Sequence, residues 1–459
     1  MTGTFIVAPT VRRPERAPES TSSAPSSEKG RLGKRVVPKS ENFTRDFHEA
    51  IRPDSRNAPT ATSRTAGIAF SWGTESFSKK DYDRATAHFS TAIQFDPENA
   101  FAYQYRGIAW AKKKEYDRAI ADYSEAIRLV PTDPKAYYNR GITWVFKNEY
   151  AKAIADLDVA IRLDPRDALA YFARGQAWYY LGRFHKAIAD FSAAIRIRPR
   201  YPRAYYRRGL AYKGLGEFTK AIADLSEAIR LGPGQADTYF ERGCARSAKR
   251  EYDQAIADFN EAIRLDPRDT WAYFNRGIAW AAKKEYDKAL ADLDRAIGID
   301  PRNTRALFNR ATISFSTRRK GVNEDIRAVL DREDWRDPTS IYAVLLGYFA
   351  ARRANQEPEG RSLLDQAQAR CDHSAWPFPI VEYLRGALEE TAVLSKADAD
   401  EKKATAHCFL GLDRLQKGQA DAAKAHFLWV KEHGEMGAFT IAVAELDRMT
   451  GQTDRAKAP

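Results

Sequence analysis

The sequence predicts an all-α solenoid of stacked helix–turn–helix units, and three observations carry that prediction. Glycine returns at one fixed interval, at Gly73, Gly107, Gly141, Gly175, Gly209, Gly243 and Gly277. Alanine keeps the same step in two further series, from Ala85 to Ala289 and from Ala92 to Ala296, and proline closes each unit from Pro97 to Pro301. Each unit also holds two stretches of apolar residues at helical spacing, such as 136–146 and 150–163, joined by a few polar residues. Four series holding one register through seven units without an insertion do not arise by chance.

The small residues have a physical reading. Gly141 and Ala153 remove bulk where the two helices of a unit approach, and Ala160 does so toward the next unit. Tyr137, Trp144, Tyr150 and Leu157 fill the space that remains. The turn between the helices needs a residue that tolerates left-handed backbone, supplied by Asn148, Gly182 and Gly216. Asp164-Pro165 ends the second helix, because proline cannot continue it and restricts the residue before it. One such unit cannot bury its own apolar faces, so neighbours must stack into a continuous core.

Along the chain, residues 1–65 are rich in Ser, Thr, Pro and Arg and bury too little apolar surface to offset their ordering entropy, so they read as a disordered tail. Within it, Phe43, Phe47 and Ile51 fall four apart and suggest a short helix over 42–51. Seven 34-residue units fill 66–303. Residues 304–337 begin an eighth, but Ala311 takes the glycine's place and Asn323 that of the first alanine, so the register decays. Residues 338–455 read as a divergent helical cap with echoes at Gly347, Gly411, Gly418, Ala423 and Phe427, and 456–459 as a disordered end.

The unit AFAYQYRGIAWAKKKEYDRAIADYSEAIRLVPTD resembles the tetratricopeptide (TPR) repeat, over 66–303 and with one departure, an Arg where the family has Leu before the Gly. The stretch WPFPIVEYLRG from Trp376 resembles a segment that follows the repeats in some bacterial TPR proteins. The resemblance implies a right-handed superhelical TPR solenoid whose concave surface is lined by the first helix of each unit. By matching positions, that surface holds Tyr138, Ile142, Val145 and Phe146, then Phe172, Gln176, Tyr179 and Tyr180, then Tyr206, Leu210 and Lys213. An apolar, aromatic groove suits an amphipathic helix or an extended peptide; the alternative is that these rings pack on adjacent first helices and stay buried. The Lys and Asn of the family's carboxylate clamp are missing, since Tyr138 with Ile142 and Phe172 with Gln176 stand there. Asn139, Asn275 and Asn309 stand at the places of an asparagine ladder that grips peptide backbone, but Tyr105, Ala173, Arg207 and Glu241 break it, which leaves a local grip by Asn275 and Asn309.

A second pair of series is specific to this chain. Arg106, Arg140, Arg174, Arg208, Arg242 and Arg276 are each answered, at one constant offset further along, by Asp122, Asp156, Asp190, Asp224, Asp258 and Asp292, whereas the first unit has Trp72 and His88 instead. Joint presence and joint absence predict ion pairs between helices, within a unit or across a unit boundary. The opposing reading is an anion-binding ladder, which the nearby acids would mostly neutralise.

The formal charge of +12 divides as +5 over 1–65, +9 over 66–337 and −2 over 338–459, with no dense polybasic run. Nucleic-acid or other anionic partners are therefore the alternative to a protein segment, with signs interleaved and no nucleic-acid-binding motif against them. Three dispersed cysteines, Cys244, Cys371 and Cys408, fit a reducing compartment better than a disulfide framework. Cys371 with His373, and Cys408 with His407, offer ligand atoms, but Cys-x-His is not a zinc spacing. No metal, no cofactor and no catalytic activity are expected, since nucleotide loops, nucleophile elbows and metalloprotease helices are missing. No apolar run is long enough to span a membrane. The expectation is a cytoplasmic protein-interaction scaffold or adaptor. The alternative is a secreted effector or envelope-associated adaptor, exported or periplasmic if the true start lies elsewhere. Phe43 and Phe47 also suggest that the tail lies in the groove as an intramolecular ligand.

Overall fold

The computed structural model describes residues 61–434 and 436–450. Among them it holds helices and no strands, and its contacts divide them into two units, one ending at residue 233 and one running from 234 onward. The tail anchors Phe43 and Phe47 and the helix expected over 42–51 lie outside the described residues, as does the end segment 456–459.

In the first unit five helix pairs follow one another: α1 (Ala61–Ser78) with α2 (Tyr82–Phe95), α3 (Ala100–Lys112) with α4 (Tyr116–Leu129), α5 (Pro134–Phe146) with α6 (Tyr150–Leu163), α7 (Ala168–Tyr180) with α8 (Phe184–Ile197), and α9 (Pro202–Gly214) with α10 (Phe218–Leu231). Helix α1 starts ahead of the boundary expected at 66, because its extra turn exposes Arg64 and Thr65 and so leaves no apolar signal. The starts of the other first helices are written in the sequence. The side chains of Asn99, Asp133 and Asp167 accept hydrogen bonds from the backbone N–H of Ala102, Lys135 and Leu169 at 3.1, 3.0 and 2.8 Å, and Pro134 and Pro202 occupy first turns.

The turns within pairs place Asn148, Gly182 and Gly216 at φ +60°, +73° and +77°, as expected. The same place is left-handed at Lys80 and Lys114, where nothing in the residue type announces it. A side chain there costs about 1 kcal/mol or more, against roughly 0.5–1 kcal/mol for the entropy a glycine loses on folding. Lys114→Gly is therefore expected to raise the unfolding free energy by about 0.5 kcal/mol in a urea titration; a loss of stability would show that the Lys114 side chain contributes packing.

Within each pair, glycine sets the spacing. A Cβ built on Gly107, Gly141 or Gly175 would stand 2.8 Å from the Tyr123, Leu157 or Phe191 side chain of the second helix, closer than real side chains pack. Those second-helix residues are fully buried. The arginine series then ties three helices together. Arg140 donates through Nε and Nη2 to the two oxygens of Asp156 at 2.8 and 2.7 Å, and through Nη1 to Ser124 Oγ of the preceding pair at 2.9 Å. Arg106 repeats this with Asp122 and Ser90, Arg174 with Asp190 and Asp158, and Arg208 with Asp224 and Ser192. The Arg–Asp pairs of the series thus form within a unit, and the same guanidinium crosses the boundary to a serine or, from Arg174, to Asp158. Where the series starts, Trp72 packs edge-on against His88 at 5.8 Å and stays 55% exposed.

The second unit opens with three more pairs: α11 (Ala236–Ala248) with α12 (Tyr252–Leu265), α13 (Thr270–Ala282) with α14 (Tyr286–Ile299), and α15 (Thr304–Ser316) with α16 (Val322–Leu330). Arg242 holds Asp258, and Arg276 holds Asp292 with Asn260. Arg310 finds its acid, Asp325, one position sooner than the regular units do, beside a shortened second helix.

From there the regular stacking gives way to a closed helical core. Helix α17 (Pro338–Arg353) is buried on nearly every face from Ser340 to Ala351. It is followed by α18 (Glu357–Arg370), the short α19 (Phe378–Leu384) and α20 (Glu390–Lys396), then α21 (Asp400–Gln416) paired with α22 (Ala420–His433). In the last pair Gly411 again meets an aromatic ring, Phe427, at 2.6 Å from its would-be Cβ. Helix α23 (Met436–Met449) lies against α15, α21 and α22. Its Glu445, 2% exposed, is held by Arg318, Arg353 and Arg448. No described helix is long and apolar enough to cross a membrane.

Candidate functional site

In the first unit each first helix touches the first helix of the next pair, α1 with α3, α3 with α5, α5 with α7 and α7 with α9. No second helix meets the next second helix as closely among the described residues. The first helices thus form the tight side of the stack, and their outward positions make one continuous face.

The residues expected on that face divide by burial. Tyr138, Ile142, Val145, Phe172, Tyr180 and Leu210 are buried, while Phe146, Gln176, Tyr179, Tyr206 and Lys213 are half-buried. Ring contacts within and between pairs underlie this face. The Tyr116 ring lies parallel to Phe146, 5.7 Å away and 2° from coplanar, and Tyr150 stacks on Tyr180 at 5.4 Å. Tyr179 packs against both Tyr180 and Phe184, at 5.7 and 5.5 Å. Gly214, which matches Phe146 and Tyr180 by register, is open enough for Phe184 to fill its place, 2.9 Å from a would-be Cβ. Neighbouring helices therefore build an aromatic floor, and the half-buried residues are the part of it within reach of a partner.

Cations frame this floor. Arg203 lies over the Phe172 ring at 5.3 Å, and Arg207 over Tyr206 and Tyr180 at 5.8 and 6.0 Å. Lys112 stands at the end of α3, where burial pushes its ammonium down to about 8. None of Lys112, Tyr116, Arg203 or Arg207 was singled out as a binding residue from the sequence. Stepping by whole repeats would have found two of them, since Lys112 matches Phe146 and Arg207 matches Asn139. Tyr116 and Arg203 lie on rings that were singled out, Phe146 and Phe172, but no spacing in the sequence announces that contact.

In the second unit Asn275 and Asn309 are both buried, and each donates its amide N–H to the carbonyl one helical turn back, Trp271 at 2.9 Å and Arg305 at 2.8 Å. Phe315 and Ser316, the counterparts of Val145 and Phe146, are buried, with Arg353 lying 3.6 Å over the Phe315 ring and Arg448 donating to the Ser316 carbonyl. Helix α23 therefore covers this end of the second unit's first-helix face.

The cysteine and histidine residues do not assemble a reaction centre. Burial pushes the Cys371 thiol up to about 11 and raises that of Cys408 further, opposite to the change that activates a nucleophile. His373 stacks on Phe378 at 4.3 Å. His407 and His426 share a hydrogen bond between their Nδ1 atoms at 2.8 Å, and burial lowers both, His407 to about 4. No group of three or more His, Cys, Asp or Glu stands close enough to hold a metal among the described residues.

Comparison with known families agrees with this geometry. The family described as "TPR repeat" matches residues 107–143, 146–182 and 175–216, and two described as "Tetratricopeptide repeat" match 202–235 and 240–319. This is a tetratricopeptide-repeat protein. No curated protein matches it. Among solved structures it is similar to YrrB, described as a TPR protein with an unusual peptide-binding site, at 27% identity over 41% of this chain and 97% of that one, with a TM-score of 0.38. It is also similar to MamA, at 28% identity over 38% of this chain and 94% of that one, TM-score 0.35. The C-terminal part of a TPR protein from Cytophaga hutchinsonii shares 21% identity over 52% of this chain and 98% of that one, TM-score 0.45. Within the TPR pattern the arginine that replaces leucine is accounted for, because its partner acid is present wherever it is.

Proposed function

We propose that this TPR protein is a non-enzymatic scaffold that holds a peptide or amphipathic helix of a partner against the first-helix face of residues 100–214. The observation that carries the reading is the half-buried set Phe146, Tyr179 and Tyr206 on an aromatic floor made by ring contacts both within and between successive pairs. Apolar rings fixed by their neighbours lose little side-chain freedom when a partner covers them, which is why aromatic residues dominate binding energy at interfaces. Repetition is the second support: an extended ligand meets equivalent positions on α3, α5, α7 and α9 in turn.

The test is a double substitution, Phe146→Glu with Tyr179→Glu, in the full chain. It is expected to reduce capture of native partners by tenfold or more, an effect of about 1.4 kcal/mol or above, with helicity by circular dichroism unchanged. Undiminished capture at unchanged helicity would refute the assignment of the face.

A further inference from the structure

The stack is open at its first pair. In α3 and α5, Ala102 and Ala136 are fully buried against Ala92 and Ala126 of the preceding second helix. Arg106 and Arg140, one turn further on, donate to Ser90 and Ser124 of the same helices. These two places therefore face backward along the stack. On α1, which has no pair before it among the described residues, they are held by Ile68 and Trp72, 46% and 55% exposed. A terminal repeat left to solvent calls for a polar outer face, and here the small residue and the arginine have both given way to large apolar ones. The ring of Trp72 is braced by His88, 5.8 Å away, so a cover meets it already in place. Beyond Trp72 the same stripe turns polar, with Lys79 paired to Glu75 at 2.6 Å, which ends the apolar strip at Trp72.

We propose that residues 42–51 dock here as a short helix antiparallel to α1, laying Phe43, Phe47 and Ile51 over Trp72 and Ile68 where a preceding second helix would stand. The segment lies outside the described residues, and three features of the chain select it. Its apolar residues fall four apart, the spacing of one helix face, over about 12 Å from Phe43 to Ile51. Pro53 and Pro59 stop that helix from running on into α1, so the chain turns back between them. The connection 52–60 reaches at most about 30 Å. A tether this short presents the segment to the nearest apolar face at about millimolar effective concentration, and that face is the open side of α1 itself. Regular units make the same reversal with a shorter connection, 96–99 between α2 and α3. Antiparallel register puts Ile51 beside Ile68 and Phe47 beside Trp72, each pair about one helical turn from the next. Docked there, the tail keeps its aromatic anchors out of the groove and leaves the first-helix face to a partner.

Hydrogen–deuterium exchange of the full chain, read by mass spectrometry, tests this. Amides of 42–51 are expected to exchange about tenfold or more slowly than in a synthetic peptide of that sequence, since burial of even one Phe ring supplies that factor. Ile68→Gln/Trp72→Gln, at two exposed places, is expected to remove the protection and leave α5, α7 and α9 unchanged. The reciprocal change, Phe43→Ser/Phe47→Ser, is expected to speed exchange over 61–72 by a similar factor, and it carries the test if the α1 variant loses helicity. A segment that exchanges like the free peptide would overturn the docking. So would protection of 42–51 that survives Ile68→Gln/Trp72→Gln and is lost in Phe146→Glu/Tyr179→Glu, which would place the tail in the groove. Protection of 61–72 that rises with protein concentration and ignores the tail substitutions would give the end face to a second copy of the chain instead.

Discussion

Arg174→Ala is expected to lower the unfolding free energy by about 3–5 kcal/mol, the cost of leaving a buried carboxylate without its cation. The geometry makes Arg174 a shared part. It donates to both oxygens of Asp190, at 2.8 and 2.7 Å, and to Asp158 of the preceding pair at 2.6 Å, so its loss loosens a unit and its boundary together. Burial pushes the Asp190 carboxyl up from its ordinary value, and Arg174 pulls it down. With the arginine gone, only the upward push remains. A carboxyl raised in the folded state binds more protons there than in the unfolded chain, so the variant's deficit is largest at neutral pH and shrinks as pH falls. The double change Arg174→Met with Asp190→Leu is expected to recover most of the loss, because it removes the buried charge along with its partner. Urea titrations of the three proteins at pH 7 and pH 5 measure all of this. A deficit below about 1 kcal/mol for Arg174→Ala would class the pair with exposed salt bridges and end its role in holding successive pairs.

These arginines also show where the sequence was informative. A repeat multiplies every local signal, so the helices, the glycine contacts and the Arg–Asp pairs were all visible as columns when the units are laid one beneath another. Each column states one contact that must be made several times over. What the columns could not show was how far the neighbouring pair covers a given side chain. Tyr138 and Tyr179 both fall on the groove face by family register, yet Tyr138 is buried and Tyr179 is half-buried. The ring contacts on this face differ from repeat to repeat, Tyr179 meeting Phe184 of its own pair and Phe146 meeting Tyr116 of the preceding one. The cap was legible only in part for the same reason. Gly411 against Phe427 repeats the glycine–aromatic contact of the regular units. The ion pair of Arg353 with Glu445, which ties α17 to α23, happens once, and nothing periodic announces it.

The contact between glycine and aromatic ring is where the fold should be least forgiving. Gly175→Ala is expected to cost about 1–3 kcal/mol even though alanine favours a helix over glycine by about 0.5–1 kcal/mol. The added Cβ would lie 2.8 and 2.9 Å from two atoms of the Phe191 ring and 3.2 Å from the Asp190 Cβ. Phe191 is fully buried, and Asp190 is held by Arg174, so neither side of the contact can retreat without moving a third group. Leucine at Gly175 together with leucine at Ala187, which is also fully buried, is expected to separate α7 from α8 and broaden the melting transition. Gly298 supplies the control. Nothing lies within 4 Å of a Cβ built there, so Gly298→Ala is expected to gain about 0.5 kcal/mol from helix propensity alone. If thermal melts show both alanine variants stabilised, the helices of a pair can part freely. The repeating glycine would then mark helix geometry of some other origin than close approach.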